Sequence, residues 1–122
     1  MNGVTFLGYT GGMAGRTLPD DPVAFIRKRL LRGQVLWTYH VNMRLGQRFI
    51  SRNTILGARY EMVEANPDDK YLPSYLLLGR RGDASFHVLF AADVEGQNVR
   101  IVTAYHPSPE EWEDDLKTRR TS

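Results

Sequence analysis

The stretch "PSYLLLGRRGDASFHVLFAAD" (residues 73–93) holds two apolar runs rich in Leu, Tyr, Phe and Val, broken at Gly82-Asp83. Runs of this composition around a Gly-Asp pair read as two β-strands joined by a tight turn. Two more such runs flank them, "YEMVEA" (60–65) and "NVRIVTAYH" (98–106), set off by "NPDDKYL" and "VEGQ". Connectors this short make neighbouring strands antiparallel, because a parallel crossover needs about a dozen residues or more. The expectation is a four-stranded antiparallel β-meander. Alternation along a strand then places Phe86, Val88 and Phe90 on one face and Ser85, His87 and Leu89 on the other. In the last strand it groups Arg100, Val102, Ala104 and His106 against Val99, Ile101, Thr103 and Tyr105. Tyr105 and His106 therefore diverge, and at most one of them joins a site on a sheet face unless the strand ends or bulges.

Upstream of the strands the period is helical. In "DDPVAFIRKRLL" the acids lead, Pro22 suits a first turn, and Val23, Ile26 and Leu30 form an apolar stripe, so a helix is expected to about Arg32, stopped by Gly33. "QVLWTY" reads as a brief strand or an extended entry to a second helix over residues 39–48. That helix buries Val41, Leu45 and Phe49, and carries His40, Arg44 and Arg48 at four-residue spacing about 100° away. Ser51 caps a third helix that ends near Arg59. After the strands, Ser108, Pro109 and Glu111 form a capping-box signature for a C-terminal helix with Trp112 and Leu116 facing inward. Residues 1–20, with five glycines, read as an irregular leader in which "VTFLGY" forms a short edge strand. The expected architecture is α+β: N-terminal helices packed on the meander, followed by a C-terminal helix, in one domain over residues 21–122.

The 122 residues and 42% hydrophobic content suit one modest core. Without cysteine there is no disulfide framework, thiol nucleophile or thiolate zinc site. No apolar run has the length of a membrane helix, and the first residues lack the order of a signal peptide, so a soluble cytoplasmic protein is expected, with no membrane partner. The net charge of +2 hides an asymmetry: residues 20–59 carry eight Lys and Arg against Asp20 and Asp21 alone. A basic half of this kind suits a phosphate backbone or an acidic protein.

Four segments in order, "HVNMRLGQRFIS", "NPDDKYLPSYLLLGR", "FHVLFAAD" and "VRIVTAYHPSPEEWEDD", resemble a bacterial family known as domain of unknown function 4258. The likeness runs from residue 37 to residue 116. It implies a small α+β domain similar to the RelE and BrnT toxin group, in which helices cover one face of an antiparallel sheet. Several such relatives cleave RNA as the toxin halves of toxin-antitoxin pairs, while the family's own activity is unassigned. One departure is Phe49, where the family usually has Gly at the end of the helix.

Metal-independent RNA cleavage needs a base for the 2′-hydroxyl, cations for the phosphorane and an acid for the leaving oxygen. His40 is the candidate base or acid, Arg44 and Arg48 are candidate phosphate clamps, and His87 is the candidate partner for His40. Lys70, Tyr71, Tyr105 and His106 are candidate substrate contacts. Each has a structural alternative, among them pairing of Arg44 and Arg48 with Asp68, Asp69 or Glu64. Asp68 and Asp69 read as turn residues, since a hard cation needs more oxygen ligands than this loop supplies, and no metal or other cofactor is expected. Two functions follow: a toxin-type endoribonuclease acting on RNA, or a non-catalytic module whose basic face binds nucleic acid or an acidic, antitoxin-like protein. Oligomeric state is not legible in the sequence.

Overall fold

The computed structural model describes residues 16–121. Most of the expected leader, including the "VTFLGY" strand, lies outside the described residues. Helix α1 spans Pro22–Leu31, with Pro22 in its first turn and the Asp21 carboxylate accepting from Ala24 N at 3.1 Å. Gly33, at φ +71°, takes the left-handed conformation that ends it. A two-residue strand β1 (Val35–Leu36) follows. Thr38 then caps helix α2 (Tyr39–Gln47) and Ser51 caps helix α3 (Arg52–Gly57), each hydroxyl accepting an orphan backbone N–H at 3.0 Å. The remaining strands are β2 (Arg59–Asn66), β3 (Ser74–Arg81), β4 (Ala84–Asp93) and β5 (Asn98–Tyr105).

The meander β2 to β5 is antiparallel throughout, as its short connectors require. The sheet nevertheless has five strands, not four, in the order β1-β5-β4-β3-β2. β1 pairs parallel with β5, Val35 opposite Val99 and Leu36 opposite Arg100. This parallel contact is open to β1 because more than sixty residues separate it from β5, room enough for the crossover.

Ile26, Leu30, Val41, Leu45, Ile50 and Ile55 from the helical part pack on Tyr75, Leu77, Phe86, Val88, Phe90, Val99 and Ile101. Phe49 is not among them: its φ is +58° and it is 93% exposed. Ile50 N–H donates to Leu45 O at 3.0 Å and Phe49 N–H to Gly46 O, a Schellman turn that swings Phe49 outward and puts Ile50 in the buried place. The cap geometry expected of Gly at this position is thus kept by Phe.

The alternation expected along β5 breaks at a bulge. Leu89 faces Thr103 while Phe90 faces Ile101, so Val102 is the extra residue. Ala104 consequently joins Val99 and Ile101 in the core, while Thr103 and Tyr105 turn to the opposite face.

The C-terminal segment is not a helix. One turn forms, with Glu111 and Trp112 N–H both donating to Ser108 O at 3.1 Å, and the chain then doubles back so that Trp112 pairs with Arg119. Asp115 holds the reversal by accepting from Lys117 N, Thr118 N and the Thr118 hydroxyl. A carboxylate bonding its own downstream backbone competes directly with helical hydrogen bonds, and here it prevails over the capping-box signal. Trp112 still faces inward at 1% exposure, and Leu116 is half-buried. Among the described residues no helix is long and apolar enough to cross a membrane.

Candidate functional site

β1 covers the outer edge of β5 only at Val99 and Arg100. Beyond them the chain turns at Trp37, Thr38 caps α2, and this helix continues along the same edge in place of a strand. The four-residue spacing of His40, Arg44 and Arg48 lays them along the uncovered part of β5. Arg48 fills the position a neighbouring strand would occupy: its guanidinium donates to Ala104 O at 2.6 Å and lies 3.5 Å from the Thr103 hydroxyl. Arg48 is therefore committed to the sheet edge.

His40 and Arg44 remain exposed. With Val41, Val102, Thr103 and Ala104 they line a cavity of about 200 Å³. None of the ion pairs among the described residues includes Arg44, and the histidine-ring hydrogen bonds are those of His87 and His106.

Sharing His40, Val41 and Val102 with this cavity, a groove of about 370 Å³ runs onto the sheet face opposite the helices. Its floor is set by register: Ser74, Ala91 and Arg100 are direct neighbours across β3, β4 and β5. Asp69, Tyr71 and Leu72 from the β2–β3 loop form the far wall. Arg100 is half-exposed and 3.7 Å from Asp93, a loose contact that leaves its charge available.

The far wall is held rigid by its own bonds. Asp69 Oδ1 accepts from Lys70 N at 2.9 Å, and Oδ2 accepts from the Ser74 hydroxyl at 2.7 Å. These bonds, the Ser74 one foremost, hold its carboxyl below the usual carboxylate range. Arg16 spans the carbonyl oxygens of Pro67, Asp69 and Lys70 from outside. Tyr71 is 81% exposed, with the Lys70 ammonium 5.2 Å from its ring centre.

His87 lies on the same sheet face as the groove, four residues along β4 from Ala91, but it is fully buried beneath the C-terminal segment. Its Nε2 is 2.6 Å from Leu116 O, which can only accept, so Nε2 carries the proton and Nδ1 accepts from the Tyr105 hydroxyl at 3.2 Å. The Trp112 ring stands edge-on at 4.5 Å. Burial pushes the His87 pKa down, opposed by the bond to Leu116, and burial pushes Tyr105 up. The fold thus brings His87 and Tyr105 together, apart from His40 and Arg44. His106, diverging from Tyr105 as expected, clasps the end of α2 to the start of β4: its ring nitrogens lie 3.0 Å from Arg48 O and 3.2 Å from Ser85 O.

Of the eight candidate residues, His40, Arg44 and Tyr71 line the continuous cleft, and Lys70 stacks on Tyr71 at its rim. Arg48, His87, Tyr105 and His106 make internal bonds. Of the three expected acid partners of the α2 arginines, Asp69 is bonded to Ser74 and Glu64 to Arg119 at 2.6 and 3.2 Å, and none of the ion pairs among the described residues includes Asp68. Arg100, Ser74 and Val102 were not singled out as site residues. Arg100 interrupts the apolar run of β5, which is a usable signal, whereas the bulge at Val102 leaves no local mark.

The cleft lies almost wholly between Trp37 and His106. Over residues 37–106 the chain matches the profile of a domain of unknown function, DUF4258. The chain belongs to this family. The matched DUF4258 region takes in α2, α3 and the meander β2 to β5, and stops before the segment that covers His87. Searches of curated proteins and of solved structures return no match.

Proposed function

We propose that this DUF4258 protein binds single-stranded RNA in the cleft between α2, β5 and the β2–β3 loop. The observation that carries this reading is the placement of His40, Arg100 and the exposed ring of Tyr71 along one groove, with Arg44 in the cavity that adjoins it at His40, Val41 and Val102. Arginines meet phosphate oxygens with a planar fork of N–H donors, and an exposed aromatic ring stacks an unpaired base. The helices on one face of a mostly antiparallel sheet also accord with similarity to the RelE and BrnT group, which forms part of this proposal.

The test is fluorescence anisotropy of a labelled single-stranded RNA with the full chain. Binding should weaken as salt rises, because phosphate contacts release counterions. Arg44→Ala should weaken it further and flatten the salt dependence by about one counterion. Salt-independent binding, or binding of an acidic peptide with no affinity for RNA, would overturn the reading.

Cleavage is a second reading, favoured by the exposed His40 beside Arg44. His40 would take the proton of a 2′-hydroxyl, the 2′-oxygen would bond to phosphorus, and the bond to the 5′-oxygen would break. That oxygen takes a proton from water, leaving a 2′,3′-cyclic phosphate, while Arg44 stabilises the phosphorane. RNA bound yet intact after long incubation with excess protein in chelator would leave the binding reading alone.

A further inference from the structure

We propose that the groove selects guanine, read by the Asp69 carboxylate while the base stacks on Tyr71. This rests on the RNA-binding reading and specifies which nucleotide the site takes. Asp69 uses one lone pair of each oxygen internally, Oδ1 for Lys70 N and Oδ2 for the Ser74 hydroxyl. A carboxylate has about four acceptor positions, so both oxygens retain one for a ligand. An ionised carboxylate is acceptor-only and pairs best with two adjacent donors.

Among the four RNA bases only guanine presents such a pair, N1–H and the 2-amino group, on its Watson–Crick edge. Cytosine and adenine each offer an amino group beside an acceptor nitrogen, and uracil offers one N–H between two carbonyl oxygens. Either arrangement would set an acceptor, a ring nitrogen or a carbonyl oxygen, against a carboxylate oxygen. Unpaired RNA bases are commonly read on this edge while stacked on an aromatic side chain.

The surroundings fit a flat base. Leu72, Ala91 and Val102 make the groove apolar between its polar ends, and Tyr71 follows Asp69 by two residues at its wall. Lys70 lies over the Tyr71 ring at 5.2 Å, and the ring is 81% exposed, so it offers surface for stacking. Because Ser74, Lys70 N and Arg16 already hold the loop, little ordering is required when the base enters. Arg100 and Arg44 lie at the groove and its adjoining cavity, where the flanking phosphates would run.

The experiment compares hexamers of uridine with the same hexamer carrying one central guanosine, inosine or adenosine, by anisotropy with the full chain. The guanosine hexamer should bind roughly tenfold more tightly than the others, with inosine, which lacks the 2-amino group, losing most of the gain. Asp69→Asn keeps one acceptor oxygen but removes the double acceptor, and should bring the affinity for the guanosine hexamer down to that for the uridine hexamer, with folding of the variant verified by its melting curve. Equal binding of all hexamers overturns guanine selection and leaves RNA binding standing. A guanosine preference that survives Asp69→Asn also overturns it. Binding of no hexamer overturns both.

Discussion

Arg48 and Ala104 are joined by a 2.6 Å hydrogen bond from a guanidinium on α2 to a carbonyl on the outer edge of β5. Along this edge β1 has ended, and an unpaired carbonyl in a half-buried position is costly. One side chain thus completes the sheet edge that a two-residue strand leaves open.

From this relationship, Arg48→Ala should destabilise the fold by about 1–3 kcal/mol, the cost of leaving a buried acceptor such as the Ala104 carbonyl unsatisfied. Arg48→Lys should recover part of that loss, since an ammonium donates but lacks the planar fork. Arg44→Ala, four residues earlier and exposed, should change stability by no more than about 0.5 kcal/mol. Urea unfolding of the three variants checks the ranking. Equal losses for Arg44→Ala and Arg48→Ala would remove the distinction drawn between them.

Phe49→Gly should stabilise the protein. Phe49 sits at φ +58° in a Schellman turn and is 93% exposed, so its ring contributes almost no packing while its Cβ is strained. Glycine at such a position adopts the same conformation without the steric cost, and the gain should be about 0.5–1 kcal/mol. A raised thermal midpoint is the expected outcome, and a lowered one would show that Phe49 makes contacts the turn geometry does not reveal.

Acidification should act first through His87. Its folded pKa lies below the reference value of 6.5, chiefly through burial, so the unfolded chain takes up the proton more readily. Stability is therefore full above about pH 6.5 and declines as pH falls through the folded pKa. Glu64, Asp69 and Asp115 are also held below their reference values of 4.5 and 3.8, and their contributions are lost only at lower pH. Thermal melts between pH 7 and pH 5 should show the decline, and His87→Gln should flatten it within that interval. A wild-type midpoint constant across the interval would contradict the neutral, buried state assigned to His87.

What the sequence determined is what local chemistry determines. Gly82-Asp83 and the alternation of Phe86, Val88 and Phe90 specified the central hairpin and its core face, because turn conformation and side-chain parity are properties of neighbouring residues. The acids ahead of Pro22, and Ser51, marked helix starts for the same reason, whereas the cap at Thr38 emerged only in the structure. The spacing of His40, Arg44 and Arg48 correctly placed them on one helical edge.

Tertiary structure alone decided what that edge meets. Arg44 faces a cavity and Arg48 a carbonyl because β1 stops after two residues and β5 bulges at Val102, and both depend on pairing between distant segments. His87 was legible as facing away from the helices, but its burial depends on a C-terminal segment that folds back through Asp115 instead of forming a helix. Asp69 read as a turn residue and is one; only the register of Ser74, Ala91 and Arg100 places its carboxylate at the wall of a groove. Hydrogen-bond partners forty or more residues away are set by topology, which no local period encodes.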